Sequence, residues 1–225
     1  MMNSPTSPQE VHECDRLGFY NVLYSRRDVR AEFLPDKIPH DVLMRVLDAA
    51  HHAPSVGLSQ PWNFVVVDDQ LVKKQVHRAF LGANAEAAEM FPEERRDHYR
   101  QLKLQGILEA PINLVITCDH SRGGQVVLGK THQPETDLYS TVCAVQNLWL
   151  AARAEQLGVG WVSIIKPQAL RSIFGLPDHI TPVAYLCIGY VEFFRGEPEL
   201  QEKNWAKRAP LDSLVFRNGW GLKGS

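Results

Sequence analysis

Residues 138–157 read LYSTVCAVQNLWLAARAEQL, the most apolar helix candidate in the chain. Apolar residues recur along it at spacings of four, three, four and three, and small or apolar residues fill most other faces. The recurring positions are Leu138, Val142, Val145, Trp149 and Ala152. A helix of this kind is expected to be buried on most sides, and in a small domain a second subunit often supplies part of that burial. Gly158 is expected to end the helix.

Four short apolar runs on either side of this helix predict β-strands. They cover residues 62–67, 112–118, 160–165 and 183–190. The first run is sharply bounded, by Pro61 before it and by Asp68 after it. Residues 9–24 and 40–52 predict two further helices, because their apolar residues follow helical spacing.

The composition fits one compact domain and argues against two classes of partner. With 225 residues and 44% hydrophobic content, the chain can build a sizeable core. Its formal net charge of −2 is spread over interspersed acids and bases, so no basic stripe is available for nucleic acid or an anionic membrane. The first ten residues lack the apolar core of a signal peptide. We therefore expect a cytoplasmic protein with no nucleic-acid and no membrane partner.

Neither the cysteines nor the histidines are spaced like metal ligands. The four cysteines stand far apart, without a Cys-x-x-Cys pair, and three of them lie in apolar segments. Among the nine histidines, the adjacent His51 and His52 point to different sides of a predicted helix. The expectation is reduced, mostly buried thiols and no metal site.

Residues 26–30 read RRDVR, which places three guanidinium groups around one carboxylate. Arginines bind a phosphate ester through bidentate, charge-assisted hydrogen bonds, whereas Asp28 would repel the same phosphate. The predicted ligand is therefore long, with an anionic end and a second end that faces Asp28. The alternative is a solvated surface segment, the usual role of an isolated run of arginine and aspartate.

A loop of small, polar and turn-forming residues, APSVGLSQPWN, occupies positions 53–63 and leads into the first predicted strand. Loops of this composition bring backbone N–H groups close to a ligand. The loop raises the probability that the basic run belongs to a binding site.

Two long segments are candidates to cover a site or a partner. Residues 70–110 are helical in composition and strongly charged, and both a solvated helical pair and a lid over the ligand fit them. Residues 194–225 are rich in proline and glycine and carry large apolar residues that the segment cannot bury by itself. We expect this C-terminal arm to embrace a second subunit rather than its own body.

Taken together, these motifs resemble the FMN-dependent nitroreductase family. The resemblance rests on the run at 26–30, the loop at 53–63, the apolar helix and the Lys207-Arg208 pair in the arm. It implies an α+β nitroreductase-like fold with a central mixed sheet flanked by helices. It also implies a single domain over residues 1–225, a domain-swapped homodimer with an extended C-terminal arm, and FMN at the subunit interface.

Within the family, the segments RRDVR at 26–30, AHHAPSVG at 50–57 and GVGWVSI at 158–164 make the chain similar to members that fragment reduced FMN with O₂ into 5,6-dimethylbenzimidazole, the lower ligand of vitamin B12, and D-erythrose 4-phosphate. This similarity assigns catalytic roles to Asp28, as base or proton relay, and to Ser163, which would orient the flavin or the reacting oxygen. An arginine about 4 Å away would stabilise the Asp28 carboxylate by up to ~4 kcal/mol at an effective dielectric of about 20, so Asp28 is expected to be ionised at neutral pH. The flavin contacts implied by the resemblance are Arg26, Arg27, Asp28, Val29, Arg30, Pro54, Ser55, Ser163, Lys207 and Arg208.

Three activities stay open at this point. The first is O₂-dependent fragmentation of reduced FMN, for which a separate flavin reductase would supply the reduced flavin. The second is an FMN-dependent NAD(P)H nitroreductase or flavin reductase, and the third is a flavin-binding protein without catalysis. The pairing of Asp28 with Ser163 favours the first.

Overall fold

The computed structural model describes residues 11–222. The chain divides into two compact units, one ending at Phe194 and one beginning at Arg195. The beginning of the first predicted helix, residues 9–10, lies outside the described residues, as do the last three residues of the predicted arm.

The first unit has the predicted α+β composition, with six α-helices and four β-strands among residues 11–194. The helices are α1 (Glu13–Ser25), α2 (His40–His51), α3 (Gln70–Glu89), α4 (Glu93–Arg100), α5 (Thr136–Ala154) and α6 (Pro167–Phe174). The strands are β1 (Trp62–Val67), β2 (Ile112–Asp119), β3 (Leu157–Trp161) and β4 (Ile180–Tyr190). Between residues 11 and 222, no helix combines the length and hydropathy that a bilayer crossing requires.

The strands form one sheet in the order β1-β2-β4-β3, and each strand runs antiparallel to its neighbours. The expected mixed sheet is therefore corrected: among the described residues, parallel pairing is limited to an isolated bridge between Asp28 and Val159. The segment that carries Asp28 makes this one bridge along β3 and does not continue as a strand. Because the segment with Asp28 makes only this bridge, it does not add a strand to the sheet, which consists of the four named strands.

Helices pack on both faces of the sheet. Because alternate residues of a strand point to opposite faces, neighbouring residues of β2 contact different helices. On one face, Leu114 and Ile116 of β2 pack with Leu148 of α5 and Val46 of α2. On the other face, Val115 packs in a second cluster with residues of α3 and α6. The long apolar helix thus lies centrally against the sheet, as its sequence predicts.

The end of α5 differs from the prediction. The helix ends at Ala154, and the chain reverses at Gln156, whose φ is +62°. Gly158 does not end the helix; it lies inside β3, which begins three residues earlier than the predicted strand. A Cβ at position 158 would lie 2.4 Å from Cγ1 of Val191 and 3.0 Å from Cγ2 of Val29. This glycine is required by close packing and not by a turn.

The segment 70–110 contains α3 and α4, and α3 is part of the core. Val76 and Phe80 are buried against the sheet, and the fully buried Lys73 donates hydrogen bonds to the carbonyl oxygens of Ala110 (2.8 Å) and Pro111 (2.7 Å). These bonds tie the beginning of α3 to the segment before β2. A lid role for this segment stays a prediction.

The second unit contains the short helix α7 (Glu199–Glu202) and a 3₁₀ turn at Leu211–Ser213. Arg195 pairs with Glu202 at 2.7 Å, and the rings of Phe216 and Trp220 lie 5.0 Å apart. Trp220 is 91% exposed. The embrace of a partner by this arm stays a prediction.

Candidate functional site

The run at 26–30 leaves α1 and lies along β3, at the edge of the sheet. The Val29 N–H donates to the Val159 carbonyl oxygen at 3.0 Å, next to the parallel bridge between Asp28 and Val159. Gly160 makes this approach possible, since a Cβ there would lie 2.0 Å from the Val29 carbonyl oxygen. Two motifs that are more than a hundred residues apart in sequence therefore form one surface.

The Asp28 carboxylate is held from two sides. Its Oδ1 accepts the backbone N–H of Trp161 at 2.9 Å, and its Oδ2 forms an ion pair with the Arg30 guanidinium. The Asp28 side chain keeps 28% of its surface exposed, so a ligand can still reach it.

Burial raises the pKa of Asp28 above its ordinary value, although Arg30, the Trp161 N–H and Arg26 act in the opposite direction. The arginines therefore do not determine the direction of the pKa shift, and the ionisation of Asp28 at neutral pH stays a prediction. Spacing along the chain shows the neighbouring charges but not the loss of hydration, which here is the larger effect. A carboxyl with a raised pKa is a stronger base, which suits proton transfer.

The three arginines of the run have different surroundings. The Arg26 guanidinium lies 4.8 Å from the centre of the Trp149 ring, in a cation–π contact. Arg27 donates hydrogen bonds to the carbonyl oxygens of Tyr24 and Arg26, both at 2.7 Å, and so caps the end of α1. The roles assigned to all three arginines, and to Val29, toward a ligand stay predictions.

Two tryptophans support the run, and the sequence reasoning missed them as part of the site. Trp149 on α5 donates its Nε1–H to the Arg27 carbonyl oxygen at 3.2 Å. Its ring lies 6.4 Å from that of Trp161. The helical spacing that placed Trp149 in the core gave no signal of this contact.

The loop at residues 54–60, here called the Ser55 loop, has an unusual backbone. Gly57, Leu58 and Gln60 have φ values of +55°, +52° and +46°. The Ser55 hydroxyl accepts the Gln60 N–H at 3.0 Å, and the Val56 N–H donates to Oγ of Ser140 on α5, also at 3.0 Å. A positive φ is unfavourable for residues other than glycine, so the backbone is strained at Leu58 and Gln60. Such strain clusters at ligand-binding sites.

Pro54 and Ser163 both reach the surface. Pro54 is exposed at the start of the Ser55 loop. Ser163 is exposed two residues after the end of β3 and lines a cavity of about 190 Å³ together with Trp161 and Tyr185. Because the Trp161 N–H binds Asp28, the structure brings Asp28 and Ser163 to neighbouring segments. The role of each residue toward a flavin stays a prediction.

Lys207 and Arg208 belong to the second unit, where both are exposed between α7 and the 3₁₀ turn. The Arg208 backbone N–H lies 3.4 Å from Oε1 of Gln201. Their contribution to a phosphate site stays a prediction.

A second polar cluster, at the beginning of α5, was not expected. Potential ligand atoms of Cys118, His120 and Asp137 all lie within 4.8 Å of one another, which would suit a metal ion. However, Lys130 Nζ lies 2.6 Å from Oδ2 of Asp137, so the carboxylate already has a cationic partner. Burial also raises the pKa of the Cys118 thiol, which disfavours the thiolate that a metal needs. The cluster is an ion-pair network.

Residues 23–190 match the Nitroreductase family, and the chain belongs to that family.

The more specific similarity is to enzymes named 5,6-dimethylbenzimidazole synthase. The relative from Rhodospirillum rubrum is 45% identical over 185 residues, covering 82% of this chain and 87% of the relative. A relative of the same name from Rhodobacter capsulatus is 38% identical over 191 residues, covering 85% and 92%. By comparison, an NADH dehydrogenase from Thermus thermophilus is 26% identical over 210 residues, covering 85% and 91%.

A solved structure shows the same fold. Iodotyrosine deiodinase bound to FMN and 3-iodo-L-tyrosine superimposes with a TM-score of 0.71 at 21% identity, covering 89% of this chain and 98% of that structure.

Proposed function

We propose that this protein fragments reduced FMN with O₂ into 5,6-dimethylbenzimidazole and D-erythrose 4-phosphate, a step of cobalamin biosynthesis in which the pyrimidine portion of the flavin leaves as a separate fragment. The observation that carries the proposal is the Asp28 carboxyl, which lies between Arg30 and the Trp161 N–H and has a raised pKa. The relatives that are 45% and 38% identical support it, because both are named for this product.

The residues at β3 fit a flavin with a phosphate. Arg26 and Arg30 supply positive charge on the run that packs against β3, where Gly160 allows the Val29 backbone to approach closely. A guanidinium has five N–H donors, so Arg30 can bind Asp28 and a phosphate oxygen together. With Lys207 and Arg208 from the arm, each charge-assisted bond would contribute about 1.5–3 kcal/mol net. The Ser55 loop would contact the ring or the ribityl chain.

Reduced FMN supplies the electrons that O₂ consumes. In our proposal Asp28 accepts a proton at the ribityl C1′, the carbon that stays in the benzimidazole when the C1′–C2′ bond breaks and the four-carbon sugar phosphate leaves. Ser163 donates a hydrogen bond that orients the flavin or the oxygen. The segment 70–110 excludes bulk water from the site, and a separate flavin reductase delivers reduced FMN.

We further propose that the site forms in a homodimer. None of the described residues of α1 is buried, and Phe19 of this helix is 55% exposed. On α5, Tyr139 is 59% exposed. A groove of about 540 Å³ runs between these helices, and its walls include Phe19, Val22 and Leu150. A second copy that packs on this surface would bury it, with the arm wrapped around the pair.

The proposal is tested by incubating the purified protein with FMN, a flavin reductase, NADH and air. The expected result is 5,6-dimethylbenzimidazole, identified by chromatography and mass, with none formed without oxygen. Recovery of intact FMN, together with fast NADPH-driven reduction of a nitrofuran, would instead indicate a nitroreductase. A protein that binds FMN but does neither would be a flavin-binding protein.

A further inference from the structure

The unexpected ion-pair network at the beginning of α5 is centred on Asp137, which is 2% exposed. Its Oδ2 accepts hydrogen bonds from Lys130 Nζ (2.6 Å) and from His120 Nδ1 (2.8 Å), and its Oδ1 accepts the Leu138 N–H (2.7 Å). Burial by itself would raise the pKa of Asp137, but the hydrogen bonds from Lys130 and His120 outweigh it and lower the pKa. The carboxylate is therefore ionised and paired near neutral pH.

This network fixes the loop at residues 120–130. Lys130, at one end of the loop, also donates to the carbonyl oxygen of His120 at the other end, at 3.0 Å. The second ring nitrogen of His120 lies 2.8 Å from Oγ1 of Thr181 on β4. Both ends of the loop are thus tied to each other, to α5 and to the sheet.

The 120–130 loop in turn packs against the Ser55 loop. A Cβ at Gly57 would lie 2.6 Å from Cγ1 of Val127 and 2.9 Å from the Leu128 carbonyl oxygen. Arg122 donates hydrogen bonds to the Gln60 carbonyl oxygen (2.9 Å) and to that of Trp62 (2.8 Å). The strained backbone of the Ser55 loop needs such external contacts, because its own conformation is unfavourable.

We propose that Lys130 is a positioning residue for the flavin site: with Asp137 it fixes the 120–130 loop, and that loop holds the Ser55 loop in its ligand-binding conformation. The identity of the ligand rests on the proposed function, whereas the positioning of the loop does not. Lys130 itself touches no reacting atom in this account.

The test compares Lys130→Met with a matched control, Arg45→Met. Arg45 binds Glu155 beyond the other end of α5, about 27 Å from Asp137 at 1.5 Å per residue, and it also joins distant parts of the chain. Both variants lose an ion pair, but only the first loses one that holds the 120–130 loop. Hydrogen exchange of peptides covering residues 54–61 reports on the Ser55 loop without any flavin, and quenching of flavin fluorescence measures the Kd for FMN.

In Lys130→Met we expect exchange in residues 54–61 to become about tenfold faster and the Kd for FMN to rise about tenfold, whereas Arg45→Met leaves both within about twofold. Lys130→Arg should restore both, because it keeps the cation beside Asp137. Wild-type exchange in a folded Lys130→Met protein would overturn the proposal. If Lys130→Met does not fold, Val127→Ala combined with Arg122→Met leaves the Lys130–Asp137 ion pair intact but removes two side chains of the 120–130 loop that hold the Ser55 loop, and it should show the same faster exchange; wild-type exchange there would also overturn the proposal.

The outcome is separable from the proposed function. Faster exchange with an unchanged Kd for FMN would refute the flavin role of Lys130. A wild-type protein that binds FMN but forms no dimethylbenzimidazole would refute the proposed reaction and leave the loop positioning supported by the exchange data.

Discussion

Replacing Asp28 by asparagine separates flavin binding from flavin fragmentation. The amide of Asn keeps an oxygen that can accept the Trp161 N–H, which Asp28 binds at 2.9 Å. It loses the ion pair with Arg30 and the ability to take up a proton. The variant should therefore keep the local backbone arrangement and lose the base.

The expected size of the effect follows from the role of a positioned base. General base catalysis contributes about 10²–10⁴-fold in rate, which corresponds to a barrier increase of about 2.7–5.4 kcal/mol. The Kd for reduced FMN should stay the same or fall, since the substitution removes a negative charge near the phosphate. The wild-type rate should rise with pH through the raised pKa of Asp28, because the ionised form is the base, and Asp28→Asn should lose this rise.

The assay is single-turnover formation of dimethylbenzimidazole from anaerobically bound reduced FMN after mixing with O₂, measured at several pH values. Asp36→Asn is the matched control, because Asp36 is an exposed acid on the segment that follows the run. It should keep the wild-type rate and pH profile. An Asp28→Asn protein that binds reduced FMN and forms product at the wild-type rate would refute the assigned role.

Three further outcomes are expected. Gly160→Ala places a Cβ 2.0 Å from the Val29 carbonyl oxygen, so the run at 26–30 must move away from β3. The Tm should therefore fall by several degrees, and FMN binding should weaken. A variant with the wild-type Tm and the wild-type affinity for FMN would contradict this prediction. The Arg45 hydrogen bond lowers the pKa of Glu155 below its unfolded value of 4.5, although burial opposes it, so this pair stabilises the fold above that pH and loses its effect as pH falls through the folded-state pKa. Glu155→Gln should therefore lower Tm at pH 7 by a few degrees, and this difference should shrink as pH falls below 4.5; a Tm difference that stays constant over that fall would contradict the pairing. Phe19→Asp on the apolar face of α1 should give a monomer by light scattering, and an unchanged dimer mass would exclude this face as the interface.

Local sequence signals predicted the secondary-structure elements whose ends are clearly marked by flanking residues. The predicted bounds of β1 agree with the structure, because Pro61 and Asp68 punctuate the run on both sides. The predicted start of β3 was wrong because Gly158 was interpreted as a helix end. Glycine is needed at position 158 because the backbone there packs closely against Val29 and Val191, which only folding brings together.

The sequence likewise predicted one part of the candidate site and missed another. Asp28 was identified from the arginines beside it in the sequence. The structure places Asp28 against β3, the strand that overlaps the segment at 158–164. The direction of its pKa shift was missed, since burial depends on packing against β3. The Lys130–Asp137 network joins residues whose spacing resembles no motif, so no local pattern could have indicated it.

In the proposed reaction, this protein consumes its flavin instead of recycling it. The most direct measurement uses FMN labelled with ¹³C at the ribityl C1′, a flavin reductase, NADH and air, followed by mass spectrometry of the benzimidazole product. We predict dimethylbenzimidazole one mass unit heavier than the product of unlabelled FMN, because one ribityl carbon is retained in its ring. Labelled FMN recovered intact after many turnovers of NADH oxidation would contradict the account.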